Sequence, residues 1–351
     1  MTRGSIAQRL IRVMAAVTAP LPGGLAVATV LSCAVFAAIS GSSIVTMLAI
    51  GSVMLPALRE AGYDLKFSIG SIMAGGTLGI IIPPSIPMII YALVTESSVT
   101  DLFVAGIGPG IVLTAALTGY AIWRNRRIRT RGFDLVEFKR AMSEGIWALL
   151  MPVILLGGIY SGYFTPTEAA AVALAYALII ESFVHRELKW GDLYQVVLDT
   201  SKLGGSLFPV LAVALSLNIL LTEHRVPQQM VAIIQDYISS PLMFMLLINL
   251  LLLLVGCLMT TGEAILVLAP ILAPMAEAYG YDKVVFGVIM ILNLEIGYLT
   301  PPVGLNLIVA MTAFKQPFGL LARASMPFIA LMLACLAMIV LMPQIAMALV
   351  K

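Results

Sequence analysis

A double proline stands in the middle of a long apolar segment, and the chain contains this feature twice. Pro83-Pro84 falls within Ile69–Val94, and Pro301-Pro302 falls within Val284–Met311. A helix cannot run unbroken through either segment. Each proline lacks an amide donor, and its ring collides with the carbonyl one turn back. Gly79 and Gly297, four residues earlier, loosen the same turn. In lipid, a carbonyl freed in this way must find another partner or line a cavity that uses it. The two breaks are therefore either kinks steadied by neighbouring helices or sites for an ion or a substrate.

The two breaks are copies of one another. The offset of 218 residues from Pro83 to Pro301 also carries Pro56 onto Pro274 and Gly62-Tyr63-Asp64 onto Gly280-Tyr281-Asp282. It carries Gly79 onto Gly297 and Pro109 onto Pro327, with no gap needed between Ser40 and Leu113. Apolar composition alone would match Leu with Ile at any offset. It would not bring these prolines, glycines and the Tyr-Asp pair into one register.

Composition places the repeat in a bilayer. The chain is 61% hydrophobic and 11% charged, against about a quarter charged residues in a soluble domain. Several segments exceed the roughly 20 apolar residues that cross a membrane as a helix. The expected fold is an all-α polytopic membrane protein. The net charge is only +2 and the basic residues collect in loops, so nucleic acid is not an expected partner. Cys33, Cys257 and Cys335 are scattered through apolar segments and read as buried, inert thiols. His185 and His224, the only histidines, stand too far apart in sequence to indicate a metal site. No Ser/His/Asp set and no phosphate-binding glycine loop is visible, so neither an enzyme nor a resident cofactor is expected.

Met1–Ala16 carries Arg3, Arg9 and Arg12 among apolar residues and has the look of a signal peptide. The repeat argues otherwise. Near an offset of 220, Ile6, Gln8, Leu10 and Val13 match Val226, Gln228, Met230 and Ile233. The N-terminus then reads as one hairpin arm of a repeat that would begin roughly 70 residues earlier. On that reading, transport by the chain from Met1 is not expected. The basic run of Arg124, Arg126, Arg127, Arg129, Arg131, Lys139 and Arg140, with an amphipathic surface helix over Phe133–Trp147, is cytoplasmic by the positive-inside rule. Counting from it puts Arg59–Lys66 inside and Thr95–Asp101 outside. Leu203–Leu221 is either a span or the first arm of a re-entrant hairpin with Gln228–Ile238. The hairpin puts acidic Glu277–Lys283 outside and Lys315 with Arg323 inside, and so fits the charges better. The repeats are then inverted, with sites where broken helices meet at mid-membrane. The expected organisation is a first repeat over 1–123, a cytoplasmic linker with its amphipathic helix over 124–145, and a second repeat over 146–351.

Four polar breaks interrupt the apolar segments: Ser40–Ser43, Gly75–Ser85, Thr260–Glu263 and Asn293–Pro302. Hydroxyls and freed carbonyls are hard oxygen ligands suited to a small alkali cation. The candidate sodium-binding residues are Ser40, Gly41, Ser42, Ser43, Gly79, Pro83, Thr260, Thr261, Gly262, Gly297, Thr300 and Pro301. A single such serine more often only permits close helix packing. Two symmetric pairs, each joined to a double proline, favour ion sites. Glu263 and Glu295 lie at membrane depth, where ionisable groups are functional by default; the alternative is a protonated or backbone-bonded structural carboxyl. With Asn293, and with Glu223, His224 and Arg225 at the expected hairpin tip, they are assigned to a substrate pathway. For the last three a solvated turn is the competing reading.

These motifs resemble the large membrane subunit of tripartite ATP-independent periplasmic (TRAP) transporters, the DctM-type permease. The resemblance rests on Gly41-Ser42-Ser43, on Gly79 through Pro87, on Gly158-Ile159-Tyr160-Ser161-Gly162 with Thr165-Pro166-Thr167-Glu168-Ala169-Ala170, and on Leu292 through Gly297 with Thr300 through Asn306. It covers essentially the whole chain. It implies an elevator-type transporter in the bacterial inner membrane and sodium-coupled uptake of small organic anions such as C4-dicarboxylates, sialic acid or other sugar acids. It also implies a small TRAP membrane subunit and a periplasmic substrate-binding protein as partners. The alternatives are a standalone ion-coupled anion symporter and a non-transporting fragment.

Overall fold

The computed structural model describes residues 6–128, 132–238 and 240–350; Arg3, Arg129 and Arg131 lie outside the described residues. The chain runs α1 (Ile6–Thr18), α2 (Gly24–Ser40), α3 (Ser43–Glu60), α4 (Leu65–Ile81), α5 (Ile86–Thr95), α6 (Val99–Arg124), α7 (Leu135–Tyr160) and α8 (Pro166–Ile179). A π-helical turn over Ile180–Val184 follows. Then come α9 (Trp190–Glu223), α10 (Val226–Tyr237), α11 (Pro241–Leu258), α12 (Thr261–Ala278), α13 (Lys283–Tyr298), α14 (Leu305–Phe314), α15 (Phe318–Leu341) and α16 (Gln344–Met347). Eight stretches among the described residues, α4 with α5 counted as one, are long and apolar enough to cross a membrane.

The helices that carry the double prolines form the core. Every residue of α4 from Phe67 and every residue of α13 from Val285 is buried. A helix apolar all round belongs in such a position. Both start from the same device. Asp64 and Asp282, repeat mates, accept the free amides of the first turn, Phe67 N at 2.9 Å and Val284 N at 2.8 Å. Such caps satisfy donors that the helix itself cannot use. Both end at a cis X-Pro bond, Pro83-Pro84 and Pro301-Pro302, before the chain resumes as α5 and α14.

Each repeat also contains a helical hairpin. In the first, the hydroxyl of Tyr63, beyond the end of α3, lies against the backbone of Leu25 and Ala26 at the start of α2. In the second, its repeat mate Tyr281 donates to Pro241 O (3.5 Å), and Tyr279 donates to Ile238 O (2.6 Å) and stacks on Phe244 at 4.2 Å. The base of each hairpin is thus tied by a tyrosine, and the tips fall at Gly41-Ser42 and at Met259-Thr260. Arms of 17 and 18 residues reach about 26 Å at 1.5 Å per residue.

The repeats are inverted. Tyr91 Oη donates to Lys283 O at 2.8 Å, and Lys283 Nζ donates to Thr95 O at 3.2 Å. The start of α13 therefore lies beside the end of α5, at the end of the bundle opposite the start of α4.

The structure moves some expected elements. The hairpins whose tips are polar breaks are α2–α3 and α11–α12. The pair Phe208–Leu221 and Val226–Tyr237 is bent by 63° at its break, a geometry that fits a broken span or a re-entrant loop. The sequence favoured the latter as a hairpin on charge, because that choice puts Glu277–Lys283 outside and Lys315 with Arg323 inside; the tyrosine ties, which no local pattern shows, place chain reversals at the tips of α2–α3 and α11–α12. The amphipathic segment before Trp147 is continuous with the span after it in the 26-residue α7. The segment after Trp190 likewise continues through Glu223 as α9.

Candidate functional site

A hairpin meets the proline break in both repeats, at the tip itself in the first and through the last turn of α11, just before the tip, in the second. Ile86 N, at the start of α5, donates to Gly41 O at 3.4 Å. Its repeat mate Gly304 N donates to Cys257 O at 3.1 Å. Gly41 sits at φ +60°, a conformation that favours glycine, and a Cβ there would lie 2.9 Å from Pro84 O. Gly79 and Gly297 hold the other side of each contact. A Cβ on Gly79 would fall 2.5 Å from Ser42 O, and one on Gly297 would fall 2.4 Å from the carbonyl carbon of Gly256. These glycines bring main chain to main chain, so oxygens from a tip and from a break share one small volume.

In the first repeat that volume holds Ser40, Gly41, Ser42, Gly79 and the Pro83-Pro84 link. Ser40 Oγ lies 2.6 Å from Thr46 Oγ1 and 3.3 Å from Ser42 O. Ser42 is the N-cap of α3, yet its side chain makes no capping bond among the described residues. In the second repeat Thr260 caps α12 fully. Glu263 N donates to Thr260 Oγ1 (3.3 Å), and Thr260 N donates to Glu263 Oε2 (3.3 Å). Thr300 Oγ1 turns back onto Ile296 O at 2.8 Å. Gly262 faces Ile90 of α5, and Pro301 is exposed.

The residues assigned to a substrate pathway are not brought together. Glu263 is exposed and engaged in the capping box, so it is the backbone-bonded carboxyl weighed as the alternative. Asn293 is buried and donates to Asn249 O and Oδ1 at 2.9 and 2.7 Å, tying α13 to α11. Glu223, His224 and Arg225 are exposed at the bend between α9 and α10. Only Glu295 remains at the tips, and it is fully buried.

Between the two tips lies a polar cluster that the sequence reading did not assemble. Thr261 Oγ1 donates to Glu295 Oε1 at 3.1 Å, and Thr261 N donates to Tyr298 Oη at 2.6 Å. The Ser43 hydroxyl adjoins the same carboxyl and accepts from Asn306 Nδ2 at 2.7 Å. Ser43 and Thr261 are repeat mates, each the first residue of its helix. The repeat mate of Glu295 is Thr77, and that of Asn306 is Met88. One repeat thus supplies a carboxyl and a carboxamide where the other has a hydroxyl and a thioether. That asymmetry at offset 218 was the available signal.

A cavity of about 300 Å³ opens beside the first tip, lined by Ser40, Gly41, Pro84 and Ser85 and closed by Leu155 of α7 and Ala169 of α8. Its lining is mostly apolar.

The family model described as "Tripartite ATP-independent periplasmic transporter, DctM component" matches residues 1–345. The chain is 41% identical over 352 residues to the C4-dicarboxylate TRAP transporter large permease protein DctM of Pseudomonas aeruginosa, covering 99% of this chain and 82% of that one. It is 40% identical to the isethionate TRAP transporter permease protein DctMQ of Oleidesulfovibrio alaskensis (99% and 55% covered). It is 36% identical to the ectoine TRAP transporter large permease protein TeaC of Halomonas elongata (99% and 82%). Among solved structures it resembles the YdaH transporter of Alcanivorax borkumensis, with a TM-score of 0.59 over 96% of this chain and 84% of that one. At 14% identity, that likeness is one of fold.

Proposed function

The chain belongs to the DctM-component family of TRAP transporters, and from that premise we propose that it is the permease of a sodium-coupled importer of a small organic anion. It is a multi-pass transporter permease and not an enzyme. The proposed setting is the bacterial inner membrane, beside a small TRAP membrane subunit, with a periplasmic binding protein delivering the solute. The observation that carries the reading is that a hairpin is bonded to the proline break in each repeat, Ile86 N to Gly41 O at the first tip and Gly304 N to Cys257 O one turn before the second. It gathers hydroxyl and carbonyl oxygens at one place in each repeat within an apolar core, which is the ligand chemistry of an alkali cation. An inverted pair of such units also fits alternating access by movement of one part of the bundle past another.

The relatives named above are C4-dicarboxylate, isethionate and ectoine permeases. Small carboxylates and sulfonates, with a C4-dicarboxylate or a sugar acid foremost, are the proposed class. The test is binding-protein-dependent uptake into proteoliposomes with and without an inward sodium gradient. Uptake should follow the gradient; equal rates in potassium-only buffer would overturn the sodium reading.

A further inference from the structure

The bundle of hairpins and broken helices meets α7, α8 and α9 along a boundary of two kinds. At the depth of the first tip the boundary is apolar and partly empty. The cavity of about 300 Å³ lies in it, with Ile86, Ile89 and Phe103 on one side and Met151, Leu155 and Ile159 on the other. α8 and α9 stand loosely against the rest. Among the described residues, Ala169 is the buried one of α8 and Ala214 that of α9.

At one end of the bundle the boundary becomes polar. The turn between α5 and α6 presents backbone carbonyls there, and side chains from three other helices donate to them. Asn218 Nδ2 of α9 donates to Val94 O at 2.9 Å. Tyr160 Oη, on the last residue of α7, donates to Phe103 O at 3.4 Å. Lys283 Nζ of α13 donates to Thr95 O at 3.2 Å. Val94 and Thr95 lie in the last turn of α5, whose carbonyls the helix leaves without an amide of its own. Lys283 belongs to the bundle, since α13 is its buried centre. Asn218 and Tyr160 reach the same turn from across the boundary.

The two kinds of contact respond differently to movement. Burial of apolar surface has no direction, so packed apolar faces can slide and pack again. A hydrogen bond is lost once its atoms part by about an ångström. Movement of the bundle past α7 and α9 therefore meets little resistance along the apolar part of the boundary, and it breaks both bonds at the turn.

We propose that Tyr160 and Asn218 are positioning residues for transport, a clasp on the α5–α6 turn that holds the bundle against α7 and α9 in this state and lets go when the bundle moves. The Tyr160 bond also closes one end of the cavity, because Phe103, which accepts it, and Ile159, which precedes Tyr160, both line that space. Release of the clasp opens the cavity towards the face of the membrane that holds the turn.

The inference rests on the alternating-access reading above, and the experiment separates the two. Leu155→Cys, in the cavity lining, is the reporter. Cys33, Cys257 and Cys335 are buried, and the protein without the reporter sets their background. A membrane-impermeant maleimide is added to membrane vesicles of each orientation, and labelling rates are compared for Tyr160→Phe, Asn218→Ala, the double variant and Lys283→Met. A net hydrogen bond is worth roughly a factor of five in an equilibrium. Labelling from the face that holds the turn should therefore rise about fivefold in each single clasp variant and further in the double. Asn218→Asp, which keeps the shape and sets an acceptor against Val94 O, should act at least as strongly as Asn218→Ala. Lys283→Met removes a bond within the bundle, so it should lower the melting temperature and leave labelling unchanged. Unchanged labelling of the double variant in both orientations overturns the proposal. An equal rise in Lys283→Met also overturns it, since the bonds would then serve stability alone. If Leu155→Cys does not fold, Ala173→Cys in the same lining is the reporter. A wild type that labels equally with and without a sodium gradient and solute-loaded binding protein defeats the alternating-access reading instead, and the variants still decide the clasp.

Discussion

Ser43 and Thr261 stand 218 residues apart, each at the first position of the second arm of its hairpin, and both hydroxyls face the carboxyl of Glu295. The two repeats therefore touch through a matched pair of residues around one unmatched group. Symmetry brings the tips together, and the asymmetric Glu295 gives the junction its chemistry.

Gly297→Ala is expected to disable the second break. The new methyl would meet the backbone of Gly256, which cannot swing aside as a side chain can. Overpacking of this kind costs about 1–3 kcal/mol. Thermal unfolding in detergent should show the loss, and uptake should fall with it. Gly119→Ala in α6, with nothing within 4 Å of the new methyl, is the control. It should be neutral or should stabilise by up to about 1 kcal/mol, as alanine does in a helix.

Ser42→Ala and Thr260→Ala should each raise the sodium concentration needed for half-maximal uptake. They should differ in stability. Ser42 makes no capping bond, so its loss should leave the melting temperature nearly unchanged. Thr260 closes a capping box, and its loss should cost about 1 kcal/mol. Unchanged sodium dependence in both variants would mean that these residues serve packing alone.

Asn293→Ala should lower stability and spare transport per folded molecule. It removes the donor that satisfies Asn249 O and Oδ1 inside the bundle, an unsatisfied-acceptor cost of about 1–3 kcal/mol. Uptake normalised to folded protein is the measurement. A specific loss of uptake would return Asn293 to the substrate pathway.

Tyr279→Phe tests the tie at the base of the second hairpin. It deletes the 2.6 Å bond to Ile238 O and keeps the stack on Phe244. About 1 kcal/mol should be lost. Tyr279→Ala should lose more, since it removes the stacked ring as well.

Much of this architecture was legible because proline and glycine cannot be exchanged for other apolar residues. Pro83-Pro84, Pro301-Pro302, Gly79 and Gly297 fixed the breaks, the offset and the pairing of Ser42 with Thr260. The hairpin assignment was less legible. Leu258 and Met259 give no sign that the chain reverses there, because reversal is enforced by the distant Tyr279 and Tyr281. The seam cluster was hidden for a related reason. Glu295 and Asn306 were visible as polar residues in apolar segments, but their meeting with Ser43 is a contact across 263 positions of chain. Glu263 looked equivalent to Glu295 in sequence, and a local capping box separated their roles.

The hairpins also change how sidedness can be mapped. A chain that turns back on itself leaves the bundle at the end where it entered, as Tyr63 beside Leu25 and Tyr281 beside Pro241 record. Each hairpin therefore contributes two crossings or none to the parity of the chain, and either way the parity is unchanged. Reporter fusions placed before Gly24 and after Tyr63 must read the same compartment, as must fusions placed before Pro241 and after Tyr281. By the inversion, the two pairs must disagree with each other. A map that counts hydrophobic peaks one by one can misplace every loop beyond the first hairpin, whereas four fusions at these positions fix the orientation of the whole chain.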